Sequence, residues 1–462
     1  AMFNPHKMSP YASQFRKLNR IEVDKSNPKK FTIYTSPYMM ALASYSNFNP
    51  IPAYLYDPEG TLDQYSLADL MEKDKLKDKA DLKALADYMY SPDALTTPQF
   101  LQGSGPYQLE KWETGRELVL TKRSNWWGDK VTNGNRMLKA VPEQIVYKVI
   151  PDVNAAISLM NNNELDVFAK MNWTTFLNQK DKAEFASNHQ FHTPDLFGLR
   201  MMYINTAKDK LADKRVRRAI AHLMDKEELF NTVFYGYPTA TSQLASPAKA
   251  SYNPDLPEIT YDVEKAKTLL KEAGWEDSDG NGIVDKEIAG ERVELTLDLS
   301  FAIANKDYGS MATLFQASAK KGGVNLVLQG YEGGAFIAQV KSKEYDLAFL
   351  GTSDYPFNLD PAMKWATVGP LNYSGFGTPE SDDIIRAIRK TADIDKQNEL
   401  FRELNAIIYD QQPALFICVD KDRIITNKAF GNVATSGLSP GFLINEFDGN
   451  SLVEAPINSS NN

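Results

Sequence analysis

One cysteine, four histidines and no apolar run near 18 residues among 462 positions set the first limits. A lone Cys418 excludes an intrachain disulfide, and its place in the apolar string ALFICV predicts a buried thiol. Without a long apolar run there is no candidate transmembrane helix. The opening AMFNPHKMSPY has no basic stretch leading into an apolar one, so no signal peptide is legible. His6, His189, His192 and His222 show no HExxH spacing, and the i, i+3 pair His189/His192 lies between Asn and Gln residues, so no metal site is expected there. Basic residues are outnumbered, Lys+Arg 51 against Asp+Glu 60, and the net charge of −9 argues against a nucleic-acid surface. Phosphate-loop and dinucleotide fingerprints are missing too: Gly103-Ser-Gly105 runs into Pro106 and Tyr107, which open a strand and not a helix.

What remains is an ordinary globular composition, 43% hydrophobic and 24% charged, in a chain long enough for two or more cores. The organising stretch is Gly103 to Gly128, GSGPYQLEKWETGRELVLTKRSNWWG. Two glycines and Pro106 mark a turn; Tyr107–Leu109–Lys111 and Leu118–Leu120 alternate around Gly115 and read as a β-hairpin. The hairpin ends on Trp126–Trp127–Gly128.

Before it, Ile21–Val23 and Phe31–Tyr34 are short β-like runs joined by a turn over 24–30, and Leu67 to Met89 reads as one charged helix with Leu70, Leu76, Leu82 and Leu85 as its stripe. After it, Gln144–Ile150 is a strand, Asp152 caps a helix, and Leu165–Val167 is a strand again. Leu199–Asn205, LRMMYIN, carries almost no charge and predicts a strand central in a sheet. Asp213, Asp225 and Asp262 are expected helix caps, with Gly274 closing the third helix. Strands at Glu294–Leu299, Val324–Leu328 and Asp346–Leu350 alternate with helices, which predicts a mixed or parallel sheet. Phe416–Val419 and Arg423–Thr426 are the last strands.

Four constellations invite chemistry. GLSPG at Gly437–Gly441 fits a nucleophile-elbow pattern, but Pro440 has no N–H to offer an oxyanion, and no nucleophile–base pair is legible elsewhere, so no enzyme is expected. Arg215, Arg217 and Arg218 follow no glycine loop and are read as solvent-facing and interlobe ion-pair partners, not a phosphate site. Asp277, Asp279, Asn281 and Asp285 have calcium-loop spacing with glycine at the sixth place, but the twelfth position is Ile288, so the reading is a structural turn. Finally Gly351-Thr352-Ser353-Asp354-Tyr355-Pro356 follows a predicted strand, where Asp354 either caps a turn or presents a carboxylate to a cation.

The string GxGPYxL, a hairpin and NWWG, then NTAKDKLADKRVRRAIAHLMDKEEL and YDVEKAKTLLKEAGW, resembles the extracellular solute-binding proteins of family 5, the oligopeptide- and dipeptide-binding receptors of ABC importers. The resemblance implies an α/β fold of two hinged lobes, periplasmic-binding-protein-like (type II, cluster C), with mixed sheets. It implies a remnant of a small extra domain at 1–98, lobe I from 99–205 and 428–462, and lobe II from 206–427. The front of the small domain and the first lobe strand have no counterpart here, so the sheet around Leu199–Asn205 is expected to keep an open edge or to be covered by another chain. The segment at Gly351 is similar to the family's amine-anchoring loop, which puts Asp354 on the α-amino group of a peptide, with Thr352, Ser353, Tyr355 and Trp365 beside it. Trp365, Tyr355 and Phe376 stacking on a sugar is the alternative, and a truncated paralogue acting through protein contacts is another. No cofactor is implied. The expected partners are a peptide or other small solute and a membrane permease, in a periplasmic or membrane-anchored, lipoprotein-like setting.

Overall fold

The computed structural model describes residues 3–7, 12–15, 18–27, 29–35, 51–131, 134–352, 355 and 358–449. In chain order, β1 (Leu18–Val23) and β2 (Phe31–Thr35) form an antiparallel hairpin whose turn is closed by Asp24 N–H donating to the Lys30 carbonyl. The single helix expected over Leu67–Met89 is instead three pieces, Leu67–Met71, Lys73–Leu76 and Ala80–Met89. The string KDKLKDK offers one apolar residue to bury, so nothing holds the middle of that helix against a core, and the backbone leaves helical geometry at Glu72 and Lys79.

β3 (Tyr107–Glu113), β4 (Glu117–Lys122) and β5 (Gln144–Lys148) make an antiparallel meander. Its two ends are tied by the motif itself. The indole N–H groups of Trp126 and Trp127 both donate to the Ser104 carbonyl, at 2.8 and 2.9 Å. Gly128 is required by the same packing, because a Cβ there would stand 2.2 Å from the Trp126 ring.

β6 (Val167–Ala169) and β7 (His189–His192) flank β16 (Ile424–Asn427) in a second three-stranded sheet. The large sheet has the order β13-β12-β14-β8-β15-β9. Its members are β8 (Asp195–Ile204), β9 (Thr239–Ala240), β12 (Thr296–Ala302), β13 (Asn325–Tyr331), β14 (Leu347–Thr352) and β15 (Ala414–Lys421); β10 (Asp285–Ile288) and β11 (Glu291–Glu294) form a separate hairpin. β12 is parallel to β13 and β14, whereas β8 is antiparallel to β14 and β15, so the sheet is mixed.

β8 sits inside this sheet because its side chains are buried on both faces. Met202 and Ile204 enter one core, Leu199, Met201 and Tyr203 the other. β15 splits its residues likewise, except that Ile417 and Cys418 both enter the first core. A register shift between Phe416 and Cys418 makes room for that extra residue. β8 is therefore paired along both sides, and the sheet's ends are β13 and the two-residue β9, which matches only Cys418–Val419 of β15 in register.

The passages between sheets fall elsewhere than the sequence reading put them. The chain leaves the β6-β16-β7 sheet after His192 and joins the large sheet at Asp195; it returns between Lys421 and Ile424. Leu199–Asn205 and 414–421 thus belong to the large sheet, and the crossings precede Asn205 and Asn427. The two passages are bonded to each other, Asp422 N–H donating to the Pro194 carbonyl at 3.0 Å.

The closing segment packs back on the small sheet: Phe442 and Phe447 cluster with Ile424, Val167 and Ala169. Glu446 accepts from Arg136 Nε at 2.9 Å and Nη2 at 2.7 Å, and Val141 N–H donates to the Asn445 carbonyl. The paired hydrogen bonds from Arg136 are the main reason that the Glu446 carboxyl is held below its usual range. A carboxyl depressed in the fold contributes stability above its unfolded value, near 4.3, and loses it as pH falls through the lower folded value. Amides of residues 442–447 are therefore expected to lose hydrogen-exchange protection on acidification below about pH 4, and Glu446→Gln should show the loss already at pH 7. Equal protection in the variant would contradict this role.

Candidate functional site

The ends of β12 and β14, the start of β8 and the last residues of β15 lie at the same end of the large sheet, beside the crossings. Arg200 is a buried charged residue there. It lies between Leu199 and Met201 in β8 and so points into the opposite core from them, where its guanidinium stands 4.9 Å from the Phe234 ring and 5.5 Å from Tyr308. Arg200 Nη2 donates to Asp307 at 3.1 Å and forms an ion pair with Asp420 at 2.9 Å. Asp307 opens the Lys306–Lys321 helix and Asp420 ends β15, so three separate elements meet in one ion cluster. Burial by itself would drive the Arg200 proton off; Asp420, Tyr308 and Asp307 outweigh it and hold the cation more firmly than usual. Burial likewise pushes Tyr308 up to about 12 against the pull of Arg200. Gly351 lies opposite Arg200 in β14, with the Tyr308 hydroxyl 3.1 Å from where a Cβ would be.

The predicted anchor loop starts here. Thr352 ends β14 half-buried, and its Oγ1 accepts from Leu199 N–H at 3.3 Å. Ser353 and Asp354 lie outside the described residues. Tyr355 is half-buried. The far end of the loop is pinned: Asn358 bonds Ser251 and Asn398, at 2.7 and 2.9 Å, and Asp360 pairs with Arg389 at 3.2 Å. Trp365 is a correction. It is 1% exposed, packed on Tyr203 and Phe416 in the second core, and so cannot stack on a solute; Phe376, 4% exposed, is in the same core.

The arginine run also departs from expectation in one member. Arg215 pairs with Asp213 and Arg218 with Asp410, but Arg217 is 3% exposed and donates to the carbonyls of Leu211, Ala212 and Gln411. No solvent-facing role is left for it. His189, His192 and His222 bond Phe185, Thr426 and Thr260 respectively. Ser439 stands exposed. A cavity of about 490 Å³ lies beside Lys226 and Glu258, whose charges are already engaged: the Lys226 ammonium donates to Glu258, Ser242 and the Thr241 carbonyl.

Asp277, Asp279 and Asp285 bring carboxylate oxygens within 4.8 Å of one another. Each carboxylate already accepts hydrogen bonds or an ion pair from nearby groups. Asp277 accepts from Gly280 and Gly282 N–H, Asp279 from Asn281, and buried Asp285 from Ser278 and Arg292. Such a turn stands without a cation, so micromolar calcium is expected to move the melting temperature little. A saturable rise of several degrees, abolished by Asp279→Ala, would overturn that reading.

Residues 1–371 match the family described as bacterial extracellular solute-binding proteins, family 5 Middle. Similar proteins include the dipeptide-binding protein of Escherichia coli (strain K12), 27% identical over 325 residues that cover 68% of this chain and 55% of the relative. The nickel-binding periplasmic protein of the same organism is 24% identical over 344 residues, 72% of this chain and 62% of the relative. The chain thus spans little more than half the length of these relatives. Among solved structures, the oligopeptide-binding protein AppA from Bacillus subtilis in complex with a nonapeptide has a TM-score of 0.69 at 19% identity, covering 93% of this chain and 78% of that one. NikA from Brucella suis in complex with Fe(III)-EDTA has a TM-score of 0.65 at 22% identity, covering 75% and 68%. These likenesses fix the fold as that of periplasmic binding proteins. With four-fifths of its length matched, the chain belongs to the bacterial extracellular solute-binding proteins of family 5.

Proposed function

We propose that this protein captures a peptide-like solute between its two sheet-bearing units and serves as the solute-binding component of an ABC importer. The observation that supports it most is the pair of adjacent crossings, 193–194 and 422–423, with an ionic cluster and the Gly351–Pro361 loop at the sheet end beside them. Two short passages side by side make a hinge, and a hinged cleft shut over a solute excludes water from the charges that hold it. Asp354 anchors the solute's ammonium group, with Thr352, Ser353 and Tyr355 around it. The units are residues 99–192 with 424–449, and 195–421. The partner is a membrane permease, and the protein works outside the cytoplasm, free or membrane-anchored. It performs no catalysis.

Relatives are named for dipeptide, nickel and heme binding, so the solute class is the point to test. Mass spectrometry of material released from the purified protein decides it. Peptide masses are expected. A sugar or a metal chelate would replace the peptide reading, and a protein that stays empty with peptide libraries as well would remove it.

A further inference from the structure

Beside the crossings the two units share a buried apolar cluster, and an aromatic stack lies where they meet. Trp173, the first residue of the Trp173–Lys180 helix, is 2% exposed, and its indole lies on the ring of Tyr237 at 4.4 Å with 28° between the planes. Arg423, within the returning passage, places its guanidinium 5.0 Å over the same indole and donates from Nε to the Met171 carbonyl at 2.5 Å. Next to them the Tyr235 and Thr174 hydroxyls bond at 3.0 Å, Tyr235 being held in the left-handed region at φ 55°. Tyr235 and Tyr237 follow the Lys226–Phe234 helix of the large-sheet unit, whereas Met171, Trp173 and Thr174 belong to the small-sheet unit.

Aromatic stacking and a guanidinium over an indole favour the arrangement seen here.

We infer that Trp173, Tyr237 and Arg423 set the angle of the hinge: their stack holds the units at the angle seen here. The inference rests on the reading of the protein as a hinged solute trap. These are positioning residues, remote from the solute in role. They fix the fraction of free protein already at the binding angle, and apparent affinity scales with that fraction.

The test needs no solute. Cys418 is fully buried, so spin labels go onto two added cysteines at exposed positions, Glu184→Cys in one unit and Glu272→Cys in the other. Double electron–electron resonance then reads the distance in the free, full-length protein. Tyr237→Ala is expected to lengthen and broaden the distribution by several ångström, while Tyr237→Phe, which keeps the stack, matches the parent. Should Tyr237→Ala fail to fold, Tyr237→Leu, which fills the space without stacking, takes its place. An unchanged distribution in a folded Ala or Leu variant overturns the inference. Failure of the trap reading would appear separately, as a protein that releases and takes up no solute in mass spectrometry.

Discussion

Replacing Arg200 with methionine is expected to lower the free energy of unfolding by roughly 3 kcal/mol, the low end of what breaking a buried ion pair costs. The low end applies because Asp307 and Asp420 keep side-chain exposures of 21% and 24%, so water can partly re-solvate them once the guanidinium is gone. Methionine fills the space between Phe234 and Tyr308 without adding a charge, which confines the loss to electrostatics and hydrogen bonding. Urea denaturation measures it. Adding Asp307→Asn and Asp420→Asn to Arg200→Met should restore part of the stability, because three members of one cluster do not contribute independently. A midpoint unchanged from the parent in the single variant would show that the triad contributes nothing net.

Asp354→Ala is expected to weaken peptide binding by about 2–5 kcal/mol, the cost of removing one partner of a desolvated charge pair. An ammonium terminus shut into the cleft has to be paired, since an isolated charge there is costly. N-acetylated peptide should bind the parent protein comparably poorly, and the two losses should not add. Isothermal titration with a peptide recovered from the protein gives both numbers. If the acetylated peptide binds as well as the free amine, or the alanine variant loses nothing, the anchor is elsewhere and a neutral solute is favoured.

The parts of the fold that could be read from sequence are those where pattern and packing agree. LRMMYIN is apolar apart from Arg200 and Asn205 because β8 is buried on both faces, and its central place follows from that. The helix caps Asp213, Asp225 and Asp262 each accept the backbone N–H that their position promised. The crossings at Asn205 and Asn427 came from the family resemblance and lie too late, because Asp195–Ile204 and Ala414–Lys421 both pair within the large sheet. Arg200 stood in plain view inside an apolar string and carried no signal, since its partners Asp307 and Asp420 come from elements far along the chain. Trp365 was misread for the opposite reason. It follows a segment rich in proline and turn residues, yet a short helix at Ala362–Trp365 turns it into the core.

The position of β8 within the large sheet also governs how the chain can be made. Its two neighbours, β14 and β15, are residues 347–352 and 414–421, so a ribosome must add 210 further residues, from Ile204 to Ala414, before the second side of β8 begins to be paired. At ordinary rates of synthesis that is a wait of roughly 10–40 s, long against the time in which an apolar segment collapses or associates. Through that interval an apolar strand with at least one bare edge is present in every nascent chain, and a holding chaperone would find its target there.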